Sequence, residues 1–194
     1  MSNPNVKISS VQILSNDWYT LKKVHFQYKT KDGITQSQSR EVYDRGNGAV
    51  VLLYNKGTKN IILTKQFRMP TYLNENPDGM MIEAPAGVLD EDDPSDCIKR
   101  EIEEETGFRV KKVKKLFESY TSPGAVTEIL HFFIAYYTSD MKVNEGGGKE
   151  DEHEDIEVLE ISFQKALDML HSGEIKDAKT MMLLLYAKAY NNLL

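Results

Sequence analysis

The chain has 194 residues, 40% hydrophobic and 28% charged, enough for one sizeable core or one core with a small appendage. Its net charge of −6 argues against a nucleic-acid groove or an anionic membrane as the main partner, while leaving room for a nucleotide met by metal and a few local cations. A single cysteine, Cys97, excludes an intrachain disulfide, no apolar run reaches membrane-spanning length, and Met1-Ser2-Asn3-Pro4 lacks a signal-peptide pattern, so the cytoplasm is the expected compartment.

Residues 11–15 and 18–29 read as strands, followed by a turn at Lys31-Asp32-Gly33 and another extended run reaching Tyr43. Asp-Gly between two such runs is a hairpin signal. This polar segment is too thin to fold alone and is expected to pair with the main body or a second subunit. After Arg45-Gly46-Asn47-Gly48, the apolar runs 49–54 and 60–67 predict two strands joined by a turn near Lys56-Gly57. A polar loop is expected over 71–79, a short strand over 80–83 and a turn at Ala84-Pro85-Ala86-Gly87. A helix follows from Pro94, with Asp92 or Asp93 as its N-cap and Gly107 at its end. Cys97 falls inside it, half-buried, as a small apolar residue rather than a catalytic thiol. Strands are expected over 113–120 and 128–137, either side of the turn Ser122-Pro123-Gly124. Residues 142–155 are acidic around Gly146-Gly147-Gly148 and are expected to form a mobile loop. Strand character resumes over 156–161, and 162–170 and 177–194 have helical character. No internal repeat is visible, and strands interleaved with few helices predict an α+β or α/β/α sandwich class rather than a doubly wound parallel sheet.

The helix after Pro94 carries the chemistry. Glu101, Glu104 and Glu105 fall on one face at 3.6 residues per turn, and Ile98 and Ile102 on another. Like charges so spaced repel unless a cation sits among them, and an all-carboxylate set suits a hard divalent ion such as Mg²⁺. Clustered Mg²⁺ supplies what phosphoanhydride hydrolysis needs: charge neutralisation, an activated water and a stabilised leaving oxygen. Arg100 stands one turn before Glu104 and can orient it. The acidic run Glu150-Asp151-Glu152-His153-Glu154-Asp155 offers a second set of carboxylates on a flexible arm. The plain reading of both features is a solvated surface. The four histidines show no zinc spacing, and Gly146-Gly147-Gly148 lacks the Lys-Ser/Thr of a phosphate loop. What sets the helix apart is the ordered series of turn glycine, Arg-Glu, apolar residue, Glu-Glu and closing glycine.

That series, Arg100-Glu101-Ile102-Glu103-Glu104-Glu105-Thr106-Gly107-Phe108, matches R-E-U-x-E-E-x-G-U position by position, U being apolar, and so resembles the second half of the Nudix box. The first half departs from the usual glycine, five residues, glutamate, seven residues: Asp92 takes the acidic position and Gly87 is one residue too close. Arg45-Gly46-Asn47-Gly48-Ala49, Lys65-Gln66-Phe67-Arg68, Glu83-Ala84-Pro85-Ala86-Gly87, Ser122-Pro123-Gly124 and Glu154-Asp155-Ile156-Glu157-Val158 resemble the ADP-ribose pyrophosphatase branch. Almost the whole chain, including Arg40-Glu41-Val42-Tyr43-Asp44-Arg45, is similar to the bacterial GDP-mannose pyrophosphatases within that branch.

The resemblance implies a Nudix-type α/β/α sandwich with a mixed β-sheet. It divides the chain into an N-terminal β-strand segment, 1–45, used in dimerisation and partner-site contacts, and a hydrolase domain, 46–194. It implies Mg²⁺-dependent cleavage of a nucleotide sugar's diphosphate, with GDP-mannose giving GMP and mannose 1-phosphate. The alternative is ADP-ribose giving AMP and ribose 5-phosphate; a rival outside catalysis is a nucleotide-sugar sensor. Mg²⁺ falls to the Ala86 carbonyl, Glu101, Glu105 and Glu154, with Glu104 as a further ligand or its support. Glu152 aligns with the general base, a role that loop length could shift to Glu150 or Glu154. Glu105 and Arg68 complete the catalytic set, Arg68 on the diphosphate. Gly87, Glu128 and Lys179 contact substrate, and Trp18 and Arg40 reach a nucleotide, their own or the partner subunit's. A homodimer is implied, with no nucleic-acid or membrane partner.

Overall fold

The computed structural model describes residues 3–89, 91–149 and 154–190, and these divide into two compact units, residues 1–47 with 120–129, and residues 48–119 with 130–194. No helix among the described residues is long and apolar enough to cross a membrane.

The first unit is an antiparallel sheet in the order β1 (Val6–Asn16), β2 (Thr20–Lys29), β3 (Thr35–Asp44). Gly33 turns the β2–β3 hairpin at φ +80°, a backbone conformation that side chains other than glycine resist. Thr30 N donates to the Ile34 carbonyl across that turn at 2.9 Å. The expected strand over 11–15 is the middle of a longer one, and every residue of β1 is exposed, Ile8, Val11 and Ile13 included. One layer of alternating side chains has too little apolar area to make a core. Residues 120–129 join this unit where Tyr43 N donates to the Ala125 carbonyl at 2.8 Å and Thr127 N to that of Tyr43 at 3.1 Å.

The second unit holds β4 (Gly48–Tyr54), β5 (Asn60–Phe67), α1 (Met69–Tyr72), β6 (Met80–Glu83), β7 (Ala86–Val88), α2 (Pro94–Thr106), β8 (Lys114–Tyr120), β9 (Ile129–Tyr136), β10 (Glu157–Ser162), α3 (Phe163–Ser172) and α4 (Ala178–Ala189). The sheet runs β10-β5-β4-β9-β8, with β6 added to β5 and β7 to β4. It is mixed: β4 and β9 are parallel and β4 and β5 antiparallel. All seven residues of β4 are buried, so helices cover both of its faces. Val50, Leu52 and Tyr54 pack with Ala166 and Met169 of α3 and Leu183, Leu184 and Ala187 of α4. Ala49, Val51 and Leu53 pack with Cys97, Ile98 and Ile102 of α2. Each such aliphatic side chain contributes about 1.5–3 kcal/mol when fully buried. The result is the expected α/β/α sandwich.

Two local readings change. Ala84-Pro85-Ala86-Gly87 is not a plain turn, because Ala86–Val88 adds to β4 as β7, and Cys97 is fully buried, not half-buried. The polar loop begins inside α1, one helical turn with proline near its start. β4 and β5 pair only at Leu53–Ile62 and Tyr54–Ile61. Beyond that they splay: β4 takes β7 through Gly48, Ala49 and Val50, and β5 takes β6 through Thr64 to Phe67. Ala84 and Pro85 cross between the splayed strands, and the candidate site forms around that crossing.

Candidate active site

Local rules position α2. Asp93 caps its start by accepting from Ser95 N at 2.9 Å, Pro94 opens it, and Gly107 closes it at φ +78°. The apolar side docks on β4, which turns Glu101 and Glu105 towards β7 and the crossing. Ala86 N donates to Glu105 Oε2 at 3.3 Å. A Cβ on Gly87 would meet the Glu101 carboxyl and push that side chain aside, so the glycine lets Glu101 lie against β7.

Glu105 is 2% exposed. Burial, reinforced by Glu101 and Glu154, pushes its carboxyl well above the ordinary value. Burial also raises Glu101, against the pull of Arg100 and with a push from Glu104, to about 7. Glu154 Oε2 accepts from Lys149 N at 3.0 Å. Buried acids side by side are held by protons or by a cation. Among the described residues, no group of three or more His, Cys, Asp or Glu side chains forms a ready-made metal cage. Protein cations take up part of the charge instead. Arg100 donates to Glu101 Oε1 at 3.0 Å, Glu104 Oε2 at 3.4 Å and Asp92 Oδ2 at 3.2 Å, and Lys149 Nζ stands 3.1 Å from Glu104 Oε2. The candidate donors are all oxygen, with Glu105 buried and Glu101 half-buried beside it, so the residues fit a hard divalent cation.

The glycine-rich stretch is fastened to this helix. Gly147 N donates to the Glu105 carbonyl at 2.9 Å, Gly148 N to that of Glu104 at 3.1 Å, and Val143 N to that of Gly107 at 2.8 Å. Orphan carbonyls at the end of α2 are thereby satisfied. Where a mobile loop is expected over 142–155, residues 143–148 are tied down by their backbone. Glu152, the expected base, lies outside the described residues, as do Glu150, Asp151 and His153. An open cleft of about 570 Å³ runs along the Arg100 and Glu104 flank beside Asn144, Gly146 and Gly148. Arg68, Glu83, Glu105 and Lys179 do not line it, and the chemistry points to the crossing instead.

Glu83, at the end of β6, is 4% exposed. Arg68 grips it with both prongs, Nε to Oε1 at 2.8 Å and Nη2 to Oε2 at 3.1 Å, and Lys179 Nζ shares Oε2. Burial pushes the Glu83 carboxyl up, but Lys179 and Arg68 outweigh it and hold it at about 2. Lys179 also pairs with Asp177 at 3.0 Å, and Asp177 caps α4. Arg68 and Lys179, distant in sequence, therefore meet on one carboxylate. Reading the chain as sequence passed over Glu83 as a site residue. Its signals are a lone acid ending the apolar run Met80-Met81-Ile82 and its place at the head of Glu83-Ala84-Pro85-Ala86-Gly87.

Trp18, Arg40 and Glu128 belong to the first unit. Trp18 is 83% exposed between β1 and β2, with its ring edge-on to Tyr19. Arg40 Nη2 donates to Gln38 Oε1 at 3.0 Å. It shares an open cleft of about 430 Å³ with Val42, Tyr120 and residues 123–127. Glu128 is buried, accepts from Thr121 Oγ1 at 2.7 Å and lies 3.6 Å from Arg45 Nε.

Residues 5–43 match a family model described as the GDP-mannose pyrophosphatase NudK N-terminal domain, and residues 44–184 match the NUDIX domain. The chain is 52% identical over 188 residues to a curated GDP-mannose pyrophosphatase of Yersinia enterocolitica, covering 96% of this chain and 97% of that one. It is 52% identical over 180 residues to one of Cronobacter sakazakii, covering 93% of each. A solved structure described as an ADP compounds hydrolase shares the fold at a TM-score of 0.72 and 17% identity, covering 98% of this chain and 96% of that one.

Proposed function

Because this chain belongs to the Nudix family, we propose that it hydrolyses the diphosphate linkage of a nucleotide sugar, preferably GDP-mannose, to GMP and mannose 1-phosphate. The observation that supports this reading is what gathers along Glu83 to Ala86: Arg68 and Lys179 both bind the Glu83 carboxylate, and Ala86 N donates to buried Glu105.

The family generally uses a divalent metal ion. In our reading it is Mg²⁺, which the Ala86 carbonyl, Glu101, Glu105 and Glu154 would hold, with Glu104 as a further ligand or its support, and which would supply charge neutralisation and an acidified water. The chain's own residues do the rest. Arg68 and Lys179 bind the diphosphate oxygens, Arg68 by the directional donors of its planar fork. Glu152 takes the proton from the attacking water. Arg68 then stabilises the charge on the departing phosphate. Gly87 keeps the space beside Glu101 open. The assignments of Trp18 and Arg40 to the nucleotide, of Glu128 to the substrate and of residues 1–45 to a homodimer rest on the resemblance, and that of the enzyme to the cytoplasm on the single cysteine.

Product analysis on a panel of nucleotide sugars, with and without Mg²⁺, tests the reading. GMP and mannose 1-phosphate are expected, only with the metal. Much faster release of AMP from ADP-ribose overturns the preferred substrate. Tight ligand binding without any product overturns catalysis in favour of a sensor.

A further inference from the structure

We propose that Glu83 is a positioning residue: one carboxylate orders Arg68 and Lys179 so that both present donors to the diphosphate. This rests on the reading of the site as a diphosphate hydrolase. The carboxylate is immobile for a backbone reason, since Glu83 ends β6 opposite Thr64 of β5, and Thr64 Oγ1 donates to the Glu83 carbonyl at 3.3 Å. The next residue is pinned as well, because Ala84 N donates to Thr180 Oγ1 at 2.6 Å. Three elements thus converge on Glu83: the end of β5 through Arg68, the end of β6, and the start of α4 through Lys179.

A buried ion cluster is by itself weak grounds for either stability or function. Here the geometry separates the two. Arg68 spends Nε and Nη2 on Glu83, while its side chain stays 43% exposed and Nη1 has no acceptor among the described residues. Lys179 is fixed between Glu83 and Asp177, and an ammonium has a third proton to offer. Two cations converging on one anion would repel without Glu83 and lose their common orientation. Misplacing such groups by about 1 Å costs about 10²-fold in rate.

The test is a double-mutant cycle read on GDP-mannose with Mg²⁺, alongside Mn²⁺ titration of each protein. Glu83→Gln is expected to raise KM and to lower kcat/KM by about 10²-fold. Mn²⁺ affinity is expected to be unchanged. In an Arg68→Ala, Lys179→Ala background the same substitution is expected to cost less than about threefold, because nothing remains to be positioned. An equal loss in both backgrounds overturns the proposal, as does a loss that appears in kcat alone. Should Glu83→Gln fail to fold, Glu83→Asp keeps the charge and shortens its reach. It is expected to raise KM at full thermal stability, and an unchanged KM overturns the proposal. A parent enzyme that releases no GMP overturns the functional reading itself, which separates that failure from an active parent indifferent to Glu83.

Discussion

At the scale of single residues, the candidate site turns on one acid kept out of water, Glu105, with Glu101 half-buried beside it. Glu101→Gln and Glu105→Gln are each expected to lower turnover by orders of magnitude, measured at saturating Mg²⁺, while circular dichroism stays that of the parent. Without metal, Glu105→Gln is also expected to melt no lower than the parent, because the buried carboxyl it replaces is a liability until a cation arrives. Glu101 gives a pH signature. A carboxyl near 4.5 when unfolded and raised to about 7 when folded favours the metal-free fold below pH 4.5, and that advantage is lost as the pH rises through 7. A proton and a divalent ion compete for it, so calorimetric titration should find more protons released on metal binding at pH 6 than at pH 8, and Glu101→Gln should abolish that difference. Glu152→Gln is expected to slow hydrolysis while leaving Mn²⁺ binding intact, and an equal loss of metal affinity would identify Glu152 as a ligand. The acids of α2 are legible in sequence because helical spacing puts them on one face. Glu83 is not, because its importance lies in two cations that come from 15 residues before it and 96 after it.

At the scale of elements, α2 and the glycine stretch form one device. Asp93, Pro94 and Gly107 mark the helix plainly, because a cap, a first-turn proline and a C-terminal glycine are local features. The fastening of 143–148 onto its last turn is not local: it depends on backbone donors, which carry no side-chain signature. Gly146 sits at φ +70°, and a Cβ there would press on the Glu105 carbonyl. Gly146→Ala is therefore expected to destabilise the fold by about 1–3 kcal/mol, read by denaturant melts, and to weaken Mn²⁺ binding by disturbing Glu105 from behind. The turn expected at Ala84-Pro85-Ala86-Gly87 gives way for the same reason, since Pro85 and Gly87 look like punctuation until β4 supplies a partner for Ala86 and Gly87.

At the scale of the whole molecule, the fold class is legible in strands interleaved with few helices and the β2–β3 hairpin in Asp32-Gly33, whereas the joining of residues 120–129 to the first unit has no local signal. Acid should undo the fold in a defined window. Glu83, held at about 2 when folded against 4.5 unfolded, contributes fully above pH 4.5 and loses that contribution as the pH falls towards 2. Chemical melts between pH 5 and 2.5 should lose stability steadily, and Glu83→Gln should flatten that slope. The parting of β4 from β5 has a further consequence. Two strands zipped along their whole length would bond every amide and bury every side chain, and would leave no notch for a ligand. By forking after two paired positions, the strands exchange that continuity for a ledge on which residues from four separate stretches of chain face one another. Selection on this protein should therefore bear harder on the short bridge from Glu83 to Val88 than on the longer strands it divides.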